Sequence, residues 1–311
     1  MRGGDDGRLP IPAGHRVLLS GRGTTFVREL NEPDHGPHVL LVHGWIASGG
    51  LNWLTAFDPL ADNFHVLAAD NRGHGRGINA RSRFRIADAA DDLAALLDVL
   101  RIDDAIVVGY SLGGPISQML WRRHPDRVAG LVFCATGFDL VQGGGTRMAM
   151  AGAASMLAAG LRAGAMPATF PSALARQLTR DARGANRPQT LAKWARAEMQ
   201  RHSWRMIAEA GLAIGTYSSS EWVGDIDVPT SVVVTQRDRA VPPEAQYGLA
   251  AEIPGARLHR YDGGHVSCLE PGFGTVLAEA ITDVAHRAEL LVPDTDVIDL
   301  RRRGPSSVRV S

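Results

Sequence analysis

Ser111 stands in Gly109-Tyr110-Ser111-Leu112-Gly113, directly after the apolar run 105–108 and ahead of a helical pattern. A serine between glycines at a strand-to-helix turn is the G-x-S-x-G nucleophile elbow. The glycines permit a turn too tight for a Cβ, which lifts the hydroxyl out at the strand's C-terminal end. The helix N-terminus behind it offers free N–H groups and a dipole that favours a developing oxyanion. The chemistry expected here is attack by Ser111 on an electrophilic carbonyl.

A serine needs a base, and the base needs an orienting acid. His265, in Asp262-Gly263-Gly264-His265 after the strand 257–261, is the expected base. The other histidines have plainer readings: His259 lies within that strand, His35 and His38 flank a loop, and His124 ends a helix. Asp238 follows the strand 230–234 at its C-terminal end and is the expected acid. Asp139, after the run 130–135 on the same edge, is its competitor, whereas Asp225 and Asp227 precede a strand and fall at the wrong end.

A tetrahedral intermediate also needs two N–H donors. Leu112 supplies one by following the nucleophile, and Trp45, in His43-Gly44-Trp45 after the run 38–42, supplies the other. Gly44 lets the backbone approach the substrate, and Gly44, Trp45 and Tyr110 are the residues expected to contact it, with the Trp45 indole as a pocket wall. His43 reads as a structural hydrogen-bonding residue.

The elements that must position these groups follow from periodicity. Residues 16–30 hold two short apolar segments broken by Gly21 and Gly23, a β-hairpin pattern. The compact runs 38–42, 64–69, 105–109, 130–135 and 230–235 suit strands buried on both faces. Helical patterns lie between them: a stripe of Ile86, Ala90, Leu93, Leu97 and Leu100, then 111–124, 243–253 and 273–287. Asp88, Asp91 and Asp92, near the start of the first helix, read as a solvated face and not as a metal site.

Strands alternating with helices predict an α/β fold with a mostly parallel eight-stranded sheet. Residues 137–222 interrupt the alternation with a helical pattern only, and are expected to form an inserted lid. Met148, Met150, Met156, Met166, Met199 and Met206 would give that lid an adaptable apolar lining. The expected division is a flexible tail at 1–14, a core of 15–136 and 223–290, the lid at 137–222, and a second flexible tail at 291–311.

These pieces resemble the α/β-hydrolase fold superfamily. The resemblance rests on Val42-His43-Gly44-Trp45, Asp70-Asn71-Arg72-Gly73-His74-Gly75, Gly109 to Gly114, Asp238 with Val241-Pro242, and Gly264-His265. It implies that 70–75 is a structural turn and not a catalyst. It further implies a serine esterase or lipase-like branch, because epoxide hydrolases and haloalkane dehalogenases carry aspartate, and dienelactone hydrolases cysteine, where Ser111 stands. Carbon–carbon bond hydrolases more often have asparagine in the place of Tyr110. Acyltransferases, perhydrolases and haloperoxidase-like members share the triad and remain alternatives, as does a non-catalytic ligand-binding relative. Neither a metal nor an organic cofactor is implied.

Composition narrows the remaining classes. The chain has 311 residues and 45% hydrophobic residues, so wholesale disorder is excluded and one large or two small domains fit. Assembling Ser111 with Asp238 and His265 requires strands from both sides of 137–222 in one sheet, which selects a single catalytic domain. Thirty-three basic and 33 acidic residues cancel, leaving no electrostatic footprint for nucleic acid. That balance fits an uncharged, fairly apolar small-molecule ester as the partner. Lys193 is the single lysine, so the arginine-rich balance reads as codon bias, clusters such as 301–303 included. No run reaches the roughly 18 apolar residues of a membrane span. Cys134 and Cys268 show no metal spacing, and with no apolar leader in the first 30 residues a reduced, cytoplasmic chain is expected.

Overall fold

A computed structural model describes residues 11–140, 189–270 and 272–291. One eight-stranded sheet runs in the order β1-β2-β4-β3-β5-β6-β7-β8. The strands are β1 (Gly14–Leu19), β2 (Gly23–Leu30), β3 (His38–Val42), β4 (His65–Ala69), β5 (Ala105–Tyr110), β6 (Val128–Cys134), β7 (Thr230–Thr235) and β8 (Arg257–Tyr261). β2 is antiparallel to β1 and to β4, and the later pairings are parallel. This is the mostly parallel sheet that the alternating pattern predicts.

The described helices are α1 (Gly49–Asn52), α2 (Phe57–Leu60), α3 (Ile86–Leu100), α4 (Gly113–Arg123), α5 (Gln189–Met199), α6 (Trp204–Thr216), α7 (Pro243–Glu252) and α8 (Phe273–Arg287). The sequence pattern misses α1 and α2, which have one turn each and so no periodicity to read. Helix α4 starts at Gly113, two residues after the serine, rather than at Ser111 itself.

Strand side chains alternate between two cores, as a period of two requires. Leu40, Val42, Val107, Leu131 and Phe133 pack with α3 and α4 on one face. Val39, Leu41, Ile106, Val108 and Val132 pack with α8 on the other. Each such aliphatic side chain contributes about 1.5–3 kcal/mol on burial. Because β3 to β8 run in parallel, their C-terminal ends share one edge, and the loops leaving that edge carry the site.

The chain leaves the sheet after β6 and returns in β7, which pair directly from Leu131↔Thr230 to Cys134↔Val233. The lid expected at 137–222 falls mainly on 141–188, which lies outside the described residues, as do Met148, Met150, Met156 and Met166. The expected tails lie largely outside them too. The described remainder forms α5 and α6. Met199 and Met206, expected to line a pocket, are buried at 5% and 0% exposure. Met199 packs with Ile46 and Ile207, and Met206 sits beside Gly73.

The acidic face of α3 departs from the expectation of simple solvation. Asp92 is 6% exposed, and both its carboxylate oxygens accept from Arg72, through Nε and Nη2 at 2.7 Å each. Arg22 Nε adds a third bond at 2.6 Å. Asp88 pairs with Arg72 Nη1 at 3.1 Å, and Asp91 with Arg123 and His124. The face is a seam of ion pairs joining α3 to the hairpin and to the turn after β4.

That turn, 70–75, is the scaffold the resemblance implies. Asp70 accepts the Gly49 and Arg76 N–H groups at 2.7 and 2.8 Å. Glu198 of α5 binds Arg76, and His202 Nδ1 accepts the Gly75 N–H at 2.7 Å. The rings of His43, His74 and His202 are stacked edge to face through the turn. Burial pushes His43 down to about 3 and His202 down to about 4, and lowers His74 as well.

These folded values lie below the unfolded value near 6.5, so the unfolded chain takes up protons first on acidification. The stability they contribute is complete above about pH 6.5 and is lost as pH falls towards the folded values. For His43 and for His202 the loss reaches about 2 kcal/mol each by pH 5, and His74 adds to it in the same direction. Asp70, pushed up to about 6 by burial, gains from protonation and offsets part of it. The melting temperature should therefore drop between pH 7 and pH 5. His202→Asn, which retains an acceptor for the Gly75 N–H but cannot titrate, should flatten the drop. An unchanged slope in that variant would remove His202 from the account.

Candidate active site

Strand β5 delivers Ser111 at the centre of the sheet edge, between the ends of β3 and β6. Its φ is +51°, a left-handed value that costs a non-glycine residue about 1–3 kcal/mol. Local bonds hold the turn: the Ser111 N–H donates to the Cys134 carbonyl at 3.0 Å, and the Ser111 carbonyl accepts from Gly114 N–H at 2.8 Å and Thr136 Oγ1 at 2.9 Å. Gly113 is required sterically, since a Cβ there would collide with the Val42 carbonyl.

Ser111 Oγ lies 2.9 Å from His265 Nε2, and His265 Nδ1 lies 2.8 Å from Asp238 Oδ2. The loops after β5, β7 and β8 thus bring the three expected residues together. His265 takes Asp238, not Asp139, as its partner. Asp238 Oδ1 accepts the Ala240 and Val241 N–H groups at 2.8 and 2.9 Å, while Oδ2 also accepts from Thr235 Oγ1 at 2.9 Å. Burial would raise this carboxyl, but the His265 bond and charge and the two backbone donors outweigh burial and hold it below its ordinary value.

The loop after β3 runs alongside. A Cβ on Gly44 would come within 3.3 Å of both Ser111 Cβ and the Tyr110 carbonyl, so backbone and nucleophile are adjacent. Among the described residues, neither the Leu112 nor the Trp45 N–H has an acceptor. Trp45 is 37% exposed, and its indole N–H donates to the Ile207 carbonyl of α6 at 2.8 Å. Among the described residues no cluster of three or more His, Cys, Asp or Glu could hold a metal ion, and no helix is long and apolar enough to cross a membrane.

A family model described as the alpha/beta hydrolase fold matches residues 37–271. The chain belongs to the α/β-hydrolase fold family. The chain is 32% identical over 259 residues to the pimeloyl-[acyl-carrier protein] methyl ester esterase of Chromobacterium violaceum, covering 82% of this chain and 96% of that one. Among solved structures, the enol-lactonase of Burkholderia xenovorans matches with a TM-score of 0.72 at 23% identity, over 88% of this chain and 100% of that one. A thermophilic esterase of Thermogutta terrifontis matches with a TM-score of 0.72 at 22% identity, over 89% and 99%. At these identities the two structures speak for the fold alone.

In this α/β-hydrolase one expected contact residue is placed elsewhere. Tyr110, expected at the substrate, is 2% exposed, and its hydroxyl donates to the His265 carbonyl at 2.9 Å. Its ring packs edge-on against Trp53 and Phe273 in the core beneath the site. The side chain braces the histidine loop from below and is turned away from the open edge.

Other supporting residues escaped sequence reasoning. Gln246 Nε2 donates to Thr235 Oγ1 at 2.9 Å, and Thr235 in turn donates to Asp238, so α7 steadies the carboxylate. Asn52 Oδ1 accepts the Gly44 N–H at 3.0 Å from α1. A hydroxyl three residues before the aspartate was a usable signal for Thr235. Asn52 offered none, because its helix is too short to announce itself.

Proposed function

We propose that the chain is a serine hydrolase that cleaves a carboxylic ester, or a thioester, of an uncharged and fairly apolar small molecule. The observation that carries this reading is the hydrogen-bonded line Ser111–His265–Asp238, with contacts of 2.9 and 2.8 Å. The likeness to an esterase of methyl esters over most of both chains supports ester chemistry.

In the proposed mechanism, His265 Nε2 takes the Ser111 proton as Oγ attacks the carbonyl carbon. The carbonyl oxygen becomes an oxyanion held by the Leu112 and Trp45 N–H groups. Asp238 keeps the proton on His265 Nδ1 and stabilises the imidazolium. Collapse breaks the ester bond, and His265 returns its proton to the departing alcohol. Water then attacks acyl-Ser111 with His265 as base, releasing the acid and restoring the serine. No step calls on a metal or an organic cofactor.

This reading assigns 15–136 and 223–290 to the catalytic core and treats 137–222 as a segment inserted between β6 and β7. Gly44 and Trp45 remain the proposed substrate contacts, and Tyr110 becomes a brace for His265. Cys134 and Cys268 are both buried and are not joined in a disulfide, which fits a reducing compartment such as the cytoplasm.

A fluorophosphonate probe and p-nitrophenyl esters of graded acyl length provide the test. The probe is expected to label Ser111, mapped by peptide mass spectrometry, and to abolish hydrolysis of the panel in proportion to labelling. Labelling elsewhere, or hydrolysis that survives complete labelling, would reject the serine mechanism.

A further inference from the structure

The Gly44–Trp45 peptide is held with more care than a loop requires. A glycine on one side gives this peptide unit wide rotational freedom. Because the unit is planar and trans, the Gly44 carbonyl and the Trp45 N–H point in opposite directions. Whatever binds the carbonyl therefore sets where the N–H points.

That carbonyl is bound by His43. His43 Nδ1 lies 2.7 Å from the Gly44 oxygen, and the ring is fully buried. The tautomer is fixed by the other nitrogen: Nε2 accepts the Asn71 N–H at 2.9 Å, so the proton sits on Nδ1 and is donated to Gly44. Burial holds the group near 3, so the ring keeps its Nε2 acceptor and this tautomer through the neutral range. Asn71 Nδ2 binds the His43 carbonyl at 3.0 Å, and Asn52 Oδ1 binds the Gly44 N–H at 3.0 Å. The His43 and Gly44 carbonyls and the Gly44 N–H are thus fixed by three side chains, and among the described residues the Trp45 N–H that follows has no acceptor.

We propose that His43 is a positioning residue that locks the Gly44–Trp45 peptide, through its Nδ1–H bond to the Gly44 carbonyl, with the Trp45 N–H directed at the oxyanion. This rests on the serine-hydrolase reading above and adds a residue that touches neither substrate nor nucleophile. A preset donor needs no reorganisation as charge develops, which is the source of its catalytic value.

Two substitutions separate the two ring nitrogens. In His43→Asn the side-chain amide N–H falls where Nδ1 stood, so the bond to Gly44 is kept and the Asn71 acceptor is lost. In His43→Gln the amide oxygen reaches towards the Nε2 position, so the Asn71 acceptor is kept and the bond to Gly44 is lost. The rate of fluorophosphonate labelling at Ser111 reads oxyanion binding without requiring the natural ester. His43→Gln is expected to slow labelling by about 10–100-fold, and His43→Asn to stay within about fivefold of the parent chain. On an ester, the loss in His43→Gln should appear in kcat with KM little changed.

Melting temperatures of both variants guard against a purely structural role, in which labelling would fall in step with stability in each. Equal labelling rates in His43→Gln and the parent chain, or an equal fall in both variants, would overturn the proposal. Failure of the parent chain to label at all would instead overturn the serine reading beneath it.

Discussion

Ser111→Ala and Asp238→Asn should each lower kcat for a hydrolysed ester by about 10⁴-fold or more, with KM and melting temperature little changed. For the serine the reason is loss of the atom that attacks in the proposed mechanism. For the aspartate the structure supplies a more specific one. Asp238 Oδ1 accepts two backbone N–H groups, from Ala240 and Val241. An asparagine must keep its oxygen there, which turns its NH₂ towards His265 Nδ1. His265 Nδ1 then becomes an acceptor and its proton moves to Nε2, the atom that receives the Ser111 proton in the proposed mechanism. The variant is folded but holds the wrong tautomer. Asp139→Asn serves as the control and should retain parental activity. A collapse of kcat in that control with survival of Asp238→Asn would reassign the acid.

Asp92→Ala should destabilise the fold by about 3 kcal/mol, read from urea or thermal unfolding, and leave the chemistry of the surviving folded molecules intact. Arg72 and Asp92 are both 6% exposed and are joined by a bidentate pair at 2.7 Å. Removing the carboxylate leaves a buried guanidinium with Asp88 as its remaining ion-pair partner. The cost arises chiefly from that uncompensated charge, so a second change should recover it. Arg72→Met combined with Asp92→Leu is expected to regain most of the lost stability, whereas two independent contributions would make the double variant worse than either single one. A loss under about 1 kcal/mol in Asp92→Ala would mean that the pair behaves as a solvated surface bridge.

The contrast between these two sites explains what was legible beforehand. Ser111, Asp238 and His265 each follow a strand whose apolar run ends sharply, so strand order and chain order together suffice to bring them to one edge. The elbow is also local: five consecutive residues suffice to state the strand-to-helix turn. Asp92 is the opposite case. Helical periodicity puts it on the polar face of α3, and its partners Arg72 and Arg22 arrive from 20 and 70 residues upstream. Nothing within a helix reveals that a distant arginine will cover it. The direction of the Tyr110 side chain was hidden for a related reason. Strand β5 is buried on both faces at every position, so no polar alternation marks which side meets the substrate. Met199 and Met206 repeat the lesson, because an apolar pattern specifies burial and not what does the burying.

Strands β6 and β7 lie side by side in register although 95 residues, 135–229, lie between the end of β6 at Cys134 and the start of β7 at Thr230. The departure and return points are therefore neighbours whatever lies between them, and the closure cost of a loop grows only with the logarithm of its length. Natural variation and laboratory recombination can exploit this port. Segments of other lengths can be exchanged between these two strands while the pairing that carries Ser111, Asp238 and His265 is left untouched. The inserted segment and the sheet edge can in that way change independently within one scaffold.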